Sequence, residues 1–187
     1  MRVALFLLFF NGSLLCVYAQ TLHFDMFLWG DKIGSMTISR TEKDGTETYI
    51  LDSYAKAKIL WVLRENTAHM ETVFKNGKMF SSYQKEIENG AVKRFNRVTF
   101  DGGKFVVEGY KGKRTFMETP LCAVAPLYFK VPDNITRSFY EAEAEICKLE
   151  KTDENTWEFK AGDGSRNVYH YKEGKVTSAE FHVSIAT

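Results

Sequence analysis

Cysteine, proline and long apolar runs are all scarce in this chain, and each shortage rules something out. With 3 Cys and 3 Pro in 187 residues, the chain has no disulfide framework of the kind that staples miniature secreted scaffolds. No apolar run approaches the roughly 20 residues needed to cross a bilayer as a helix. Charge of one sign is missing too: 25 Lys and Arg stand against 24 Asp and Glu, so no global basic field recruits nucleic acid. The four histidines, His23, His69, His170 and His182, are scattered and match no metalloprotease or zinc-finger spacing. There is no G-x-S-x-G elbow and no phosphate-binding glycine loop. The residues therefore carry no catalytic or metal signature and call for no cofactor, which leaves an enzyme only through acid or histidine groups brought together by folding.

The amino terminus has a leader. Arg2 precedes the apolar run Val3 to Phe10, Asn11-Gly12-Ser13 interrupts it, and Leu14 to Ala19 completes it. A charged start, a short apolar stretch and the Val17-Tyr18-Ala19 end describe a secretory signal cut after Ala19. Leu15, immediately before Cys16, is too large for a lipobox. Residues 1–19 are thus expected to be removed and residues 20–187 to form one β domain, periplasmic or secreted. Export leaves Cys122 and Cys147 as the cysteines of the mature chain, and we read them as two buried thiols rather than a bridge.

Glycine turns dominate what is present. Lys43-Asp44-Gly45, Asn76-Gly77, Asn89-Gly90, Asp101-Gly102-Gly103, Lys111-Gly112, Asp163-Gly164 and Glu173-Gly174 each supply Gly where a hairpin needs positive φ. Between them the pattern alternates, as in Leu22, Phe24, Met26 and Leu28 on one face and Ala179, Phe181, Val183 and Ile185 on another. Glu47 to Lys75 contains no Gly or Pro and would make a strand far beyond about 10 residues, so an unmarked bend or bulge is expected near Ile59 to Leu63. Leu121 to Val131 lacks alternation and reads as a loop or one short helix crossing an end of the sheet. The expected fold is all-β: an antiparallel meander forming a strongly curved sheet or incomplete barrel. An outer-membrane barrel does not fit, because Lys93, Arg94 and Arg97 fall on both faces of one strand.

Charge clusters locally. Seven basic residues lie between Ala91 and Arg114, and six acids between Glu141 and Glu154. Two readings follow: a basic face for an anionic surface, or edge charge and pairing between the two segments, the reading preferred here. Aromatic residues are abundant, with 15 Phe, 9 Tyr and 3 Trp, and core packing is the default for each. Trp61, Phe74, Phe80, Tyr83 and Phe95 lie on the long middle strands, where a concave face would offer them to an apolar ligand.

Several segments resemble a known family. Thr21 to Arg40, with Phe24, Gly30, Lys32-Ile33-Gly34 and Ser39, is followed by Tyr49 to Ser53. Later come Leu127-Tyr128-Phe129 with Pro132, then Phe139, Asp163-Gly164, Asn167-Val168-Tyr169, Tyr171 and Gly174. This pattern of turns and aromatics resembles exported bacterial proteins catalogued as domain of unknown function 6134. The chain departs from that pattern at Val131, where such proteins tend to carry Glu before the proline. The resemblance implies an exported, Gram-negative origin. A remoter fold-level similarity, to the periplasmic lipoprotein-carrier half-barrels, implies an acyl chain held on a concave face. The expected function is non-enzymatic binding of a lipid or other apolar small molecule; the alternative is an envelope module that binds a protein through an exposed strand edge.

Overall fold

The computed structural model describes residues 18–59, 61–162 and 164–182; most of the expected leader, including Cys16, lies outside them. Among the described residues, thirteen strands form two antiparallel meanders. The long sheet holds β1 (Tyr18–Leu28), β2 (Asp31–Lys43), β3 (Thr46–Ile59), β4 (Val62–Lys75), β5 (Lys78–Glu88), β6 (Ala91–Asp101), β7 (Lys104–Gly109) and β8 (Gly112–Phe116), in that order. The second holds β9 (Arg137–Tyr140), β10 (Glu145–Asp153), β11 (Thr156–Lys160), β12 (Arg166–Lys172) and β13 (Lys175–His182). In the long sheet β1 and β8 are the two edges, so it stays open, an incomplete barrel at most.

The expected turns set this order. Asp44-Gly45, Asn76-Gly77, Asn89-Gly90 and Glu173-Gly174 all have positive φ at both positions, the geometry that joins twisted strands in two residues. One boundary differs from expectation. The chain between Ile59 and Val62 does not bend within a strand but reverses completely, and β3 pairs with β4 along its whole length, from Thr46↔Lys75 to Ile59↔Val62. Both strands have 14 residues. The reversal escapes the sequence pattern because Trp61, at φ 72°, occupies a position that Gly or Asn normally holds.

The core lies between the sheets. Met36, Ile38 and Leu51 of the long sheet face Leu149, Trp157, Phe159, Tyr169 and Tyr171 of the short one. Between them runs the connecting segment, whose Cys122, Val124, Leu127 and Tyr128 are all buried. Its 3-10 helix, α1 (Ala125–Tyr128), is buried at every position and packs against β3 and β13. This short helix is therefore filling for the core and does not cross an end of the sheet. Tyr171 donates its hydroxyl proton to the Leu127 carbonyl at 2.6 Å, which occupies an acceptor the helix leaves open.

Candidate functional site

The inner face of the long sheet is sealed over one half and open over the other. At the sealed half, Tyr49, Phe74, Met79, Val98, Phe105 and Val107 pack against Ala123, Ala125, Phe139 and Ala144. The turn joining β9 to β10, Glu141 to Ala144, is pressed onto this half by polar contacts. Glu141 is 1% exposed and accepts from the Val124 and Ala125 amides at 3.1 and 3.4 Å and from Thr72 Oγ1 at 3.1 Å. Asn96 Nδ2 donates to the Ala142 carbonyl at 2.8 Å. Burial pushes the Glu141 carboxyl up to about 7, against the pull of those hydrogen bonds. Glu143 meets Arg94, Lys111 and the Tyr110 hydroxyl, while Arg114 donates to the Glu143 and Ala144 carbonyls. The basic segment and the start of the acidic one thus pair with each other, the preferred reading of their charge.

At the other half the sheets part, and a cavity of about 400 Å³ remains. Met26, Met36, Leu51 and Met70 from the long sheet and Tyr128 and Phe181 from the covering layer form its apolar wall. Glu86, Lys93, Arg94 and His182 also line it, with Asn66 and Gln84 beside them. Glu86, Lys93 and Arg94 form a network with Glu88 and Asn66: Arg94 Nε reaches Glu86 Oε2 at 2.7 Å, Lys93 Nζ reaches Glu88 Oε2 at 2.5 Å, and Asn66 Nδ2 donates to Glu86 at 2.7 Å, while His182 Nε2 lies 3.3 Å from Glu180 Oε2. Gln84 is 1% exposed, yet its buried Oε1 receives no hydrogen bond among the described residues. An apolar wall, a charged lining and an unused buried acceptor suit an amphipathic guest.

The sequence model of the family described as Domain of unknown function (DUF6134) matches residues 24–187. The chain belongs to this family. No curated protein and no solved structure matches it. The DUF6134 span contains every cavity-lining residue named above, from Met26 to His182.

The five aromatics singled out in the sequence do not converge in this DUF6134 fold. Phe74 is 3% exposed and stands edge-on to Tyr49 in the sealed half, ring centroids 6.0 Å apart. Tyr83 and Phe95 lie on the opposite face, opposite Arg97 and Lys85 in register; the Arg97 guanidinium sits 5.4 Å from the Tyr83 ring. Phe80 follows the bulge at Val73/Phe74 and lies 38% exposed beneath Lys75, whose Nζ is 3.6 Å from the ring centroid. Trp61 projects from the β3–β4 hairpin, 88% exposed. None of the five lines the cavity. Sequence reasoning missed the three methionines that do. Their signal was available: Met26, Met36 and Met70 fall on inward positions of the alternation, and flexible thioethers adapt to varied apolar shapes.

Histidines contribute local pairs. On the outer face His69 Nδ1 lies 2.7 Å from Asp52 Oδ1, and His23 Nδ1 lies 3.0 Å from Thr37 Oγ1. Among the described residues no group of three or more His, Cys, Asp and Glu could hold a metal ion, and no helix is long and apolar enough to cross a membrane.

Proposed function

We propose that the protein is an exported, non-enzymatic binding protein that holds a lipid-like amphipathic ligand between its sheets. The carrying observation is the composition of the cavity, with three methionines in its apolar wall and Glu86, Lys93 and Arg94 beside them. A volume of about 400 Å³ falls within the roughly 300–1,000 Å³ of small-molecule sites. The apolar wall takes the chain of such a ligand, gaining about 25 cal/mol for each Å² covered, and the charged lining takes its head. The secretory leader supports a periplasmic or extracellular location, and cleavage after Ala19 trims only the exposed start of β1.

Native mass spectrometry of protein purified from its own envelope, followed by lipid extraction, tests this reading. A lipid-sized adduct is expected, together with saturable binding of a fluorescent fatty acid. Met26→Trp, which fills the cavity from an edge strand, is expected to abolish both while leaving the urea midpoint nearly unchanged. Absence of any adduct and of saturable binding in the unmutated protein rejects it. A second reading, an envelope interaction module, is favoured by the 11-residue edge strand β1, which offers a ladder to another chain. An empty cavity together with a stoichiometric protein partner that protects the β1 amides from exchange would select it.

A further inference from the structure

Two hairpin tips at one end of the long sheet are built against the usual rules. Trp29, between β1 and β2, is 81% exposed with φ 53°, and Trp61, between β3 and β4, is 88% exposed with φ 72°. A bulky side chain in the left-handed region is a genuine outlier, and such strain concentrates at functional positions. Elsewhere the same turn position before Gly holds a polar side chain, Asp44, Asn76, Asn89 or Glu173. Neither turn geometry nor packing therefore accounts for these tryptophans.

In an antiparallel meander the β1–β2, β3–β4 and β5–β6 tips all lie at the same end. Phe27, Val62, Leu63 and Val92, each more than half exposed, add apolar surface there. One cation accompanies it unpaired: Lys56 and Arg64 are held by Glu65 and Glu88, whereas Lys58, with Nζ 5.4 Å from the Trp61 ring centroid, has no carboxylate partner among the described residues. The turns at the opposite end, Asp44-Gly45, Asn76-Gly77 and Gly102-Gly103, carry no exposed tryptophan.

We propose that the Trp29 and Trp61 hairpin end docks on the surface of an anionic lipid bilayer, with both indoles at headgroup level and Lys58 beside them. Tryptophan favours that depth because its ring is amphipathic, and nearby lysines gain from the negative surface potential. A protein partner would favour a flat or grooved patch, whereas these side chains project from separate loops. The inference goes beyond the cavity reading without depending on it. The cavity-lining Met26, Met36, Asn66 and Glu86 lie in the strand halves leading to these tips, so docking would also bring that half of the sheet to the lipid.

The test is sedimentation with large vesicles of phosphatidylcholine and phosphatidylglycerol in equal parts. The unmutated protein is expected to pellet, less so at high salt. The Trp29→Asn/Trp61→Gly double variant suits both turns and should fold at least as well, yet its vesicle affinity should fall about tenfold or more. Both proteins carry the same amino terminus, so any contribution from Val3 to Phe10 cancels. Trp157, 5% exposed, is an internal reference: brominated lipid should quench the unmutated protein and leave the variant's remaining fluorescence unchanged. That quenching decides the matter even if the variant folds poorly. Equal pelleting of the two folded proteins, no quenching of the unmutated one, or tryptophan-dependent dimerisation in place of vesicle binding would overturn the proposal. The Met26→Trp variant separates the two readings: it should still pellet with vesicles after losing the fatty acid.

Discussion

Arg94 Nη1 and Glu143 Oε1 lie 2.5 Å apart, joining β6 of the long sheet to the turn that closes β9 onto β10. The Glu143 side chain is 5% exposed and Arg94 22%. Removing one partner of a buried pair leaves the other uncompensated, at roughly 3–5 kcal/mol. Arg94 keeps Glu86, so Glu143→Ala should cost less, about 2–3 kcal/mol, read as a lowered urea midpoint with an unchanged slope. An unchanged midpoint would mean that the contacts of Glu141, Asn96 and Arg114 hold the turn without Glu143.

Glu141 sets a pH dependence of unusual sign. Its carboxyl is raised from 4.5 to about 7 by burial, so between those values the folded state holds a proton that the unfolded state has released. Stability from this group is full below pH 4.5, falls as pH rises, and levels off above about 7. The slope is about 1.4 kcal/mol per pH unit within that window. Glu141→Gln removes the titration. Thermal melts at pH 5 and pH 8 should show the unmutated protein losing clearly more stability than the variant; parallel losses would show that Glu141 is ionised throughout without penalty.

Much of this fold was legible because its turns obey local chemistry. Asn76-Gly77 and Asn89-Gly90 announce hairpins, and alternation places Met36 and Ile38 inward. The division into two sheets was not legible, since the connecting segment looks like a plain loop until Val124, Leu127 and Tyr128 are seen buried between layers. The site was less legible still. Period-2 alternation groups residues within a strand but does not carry their facing across a bulge, and the bulge at Val73/Phe74 separates Phe74 from Phe80 and Tyr83. The cavity wall is assembled by β1 to β6 with Tyr128 and Phe181, contacts that no local pattern encodes.

The cysteines report on both core and leader. Cys122 is 1% and Cys147 6% exposed, and burial pushes the Cys122 thiol up to about 11, where almost no reactive thiolate exists at neutral pH. Native protein should take up alkylating reagent very slowly. Denatured without reductant, it should take up two labels if the chain begins at Gln20, and three if Cys16 is retained. Uptake only after reduction would reveal a bridge.

Phe74 and Tyr83 separate core from surface. Phe74 packs against Tyr49 in the sealed half, so Phe74→Ala should cost roughly 3–5 kcal/mol of stability, as truncation of a core aromatic does. Tyr83 lies on the outer face, against Arg97 and His69, so its replacement by Ala should cost about 1 kcal/mol or less. Neither touches the cavity, and at temperatures where both variants are folded each should bind a fluorescent fatty acid as the unmutated protein does. Met70→Asp, which puts a charge on the cavity wall, should lose that binding. If Tyr83→Ala weakens binding more than Met70→Asp, the ligand lies on the outer face of the long sheet and the cavity assignment fails.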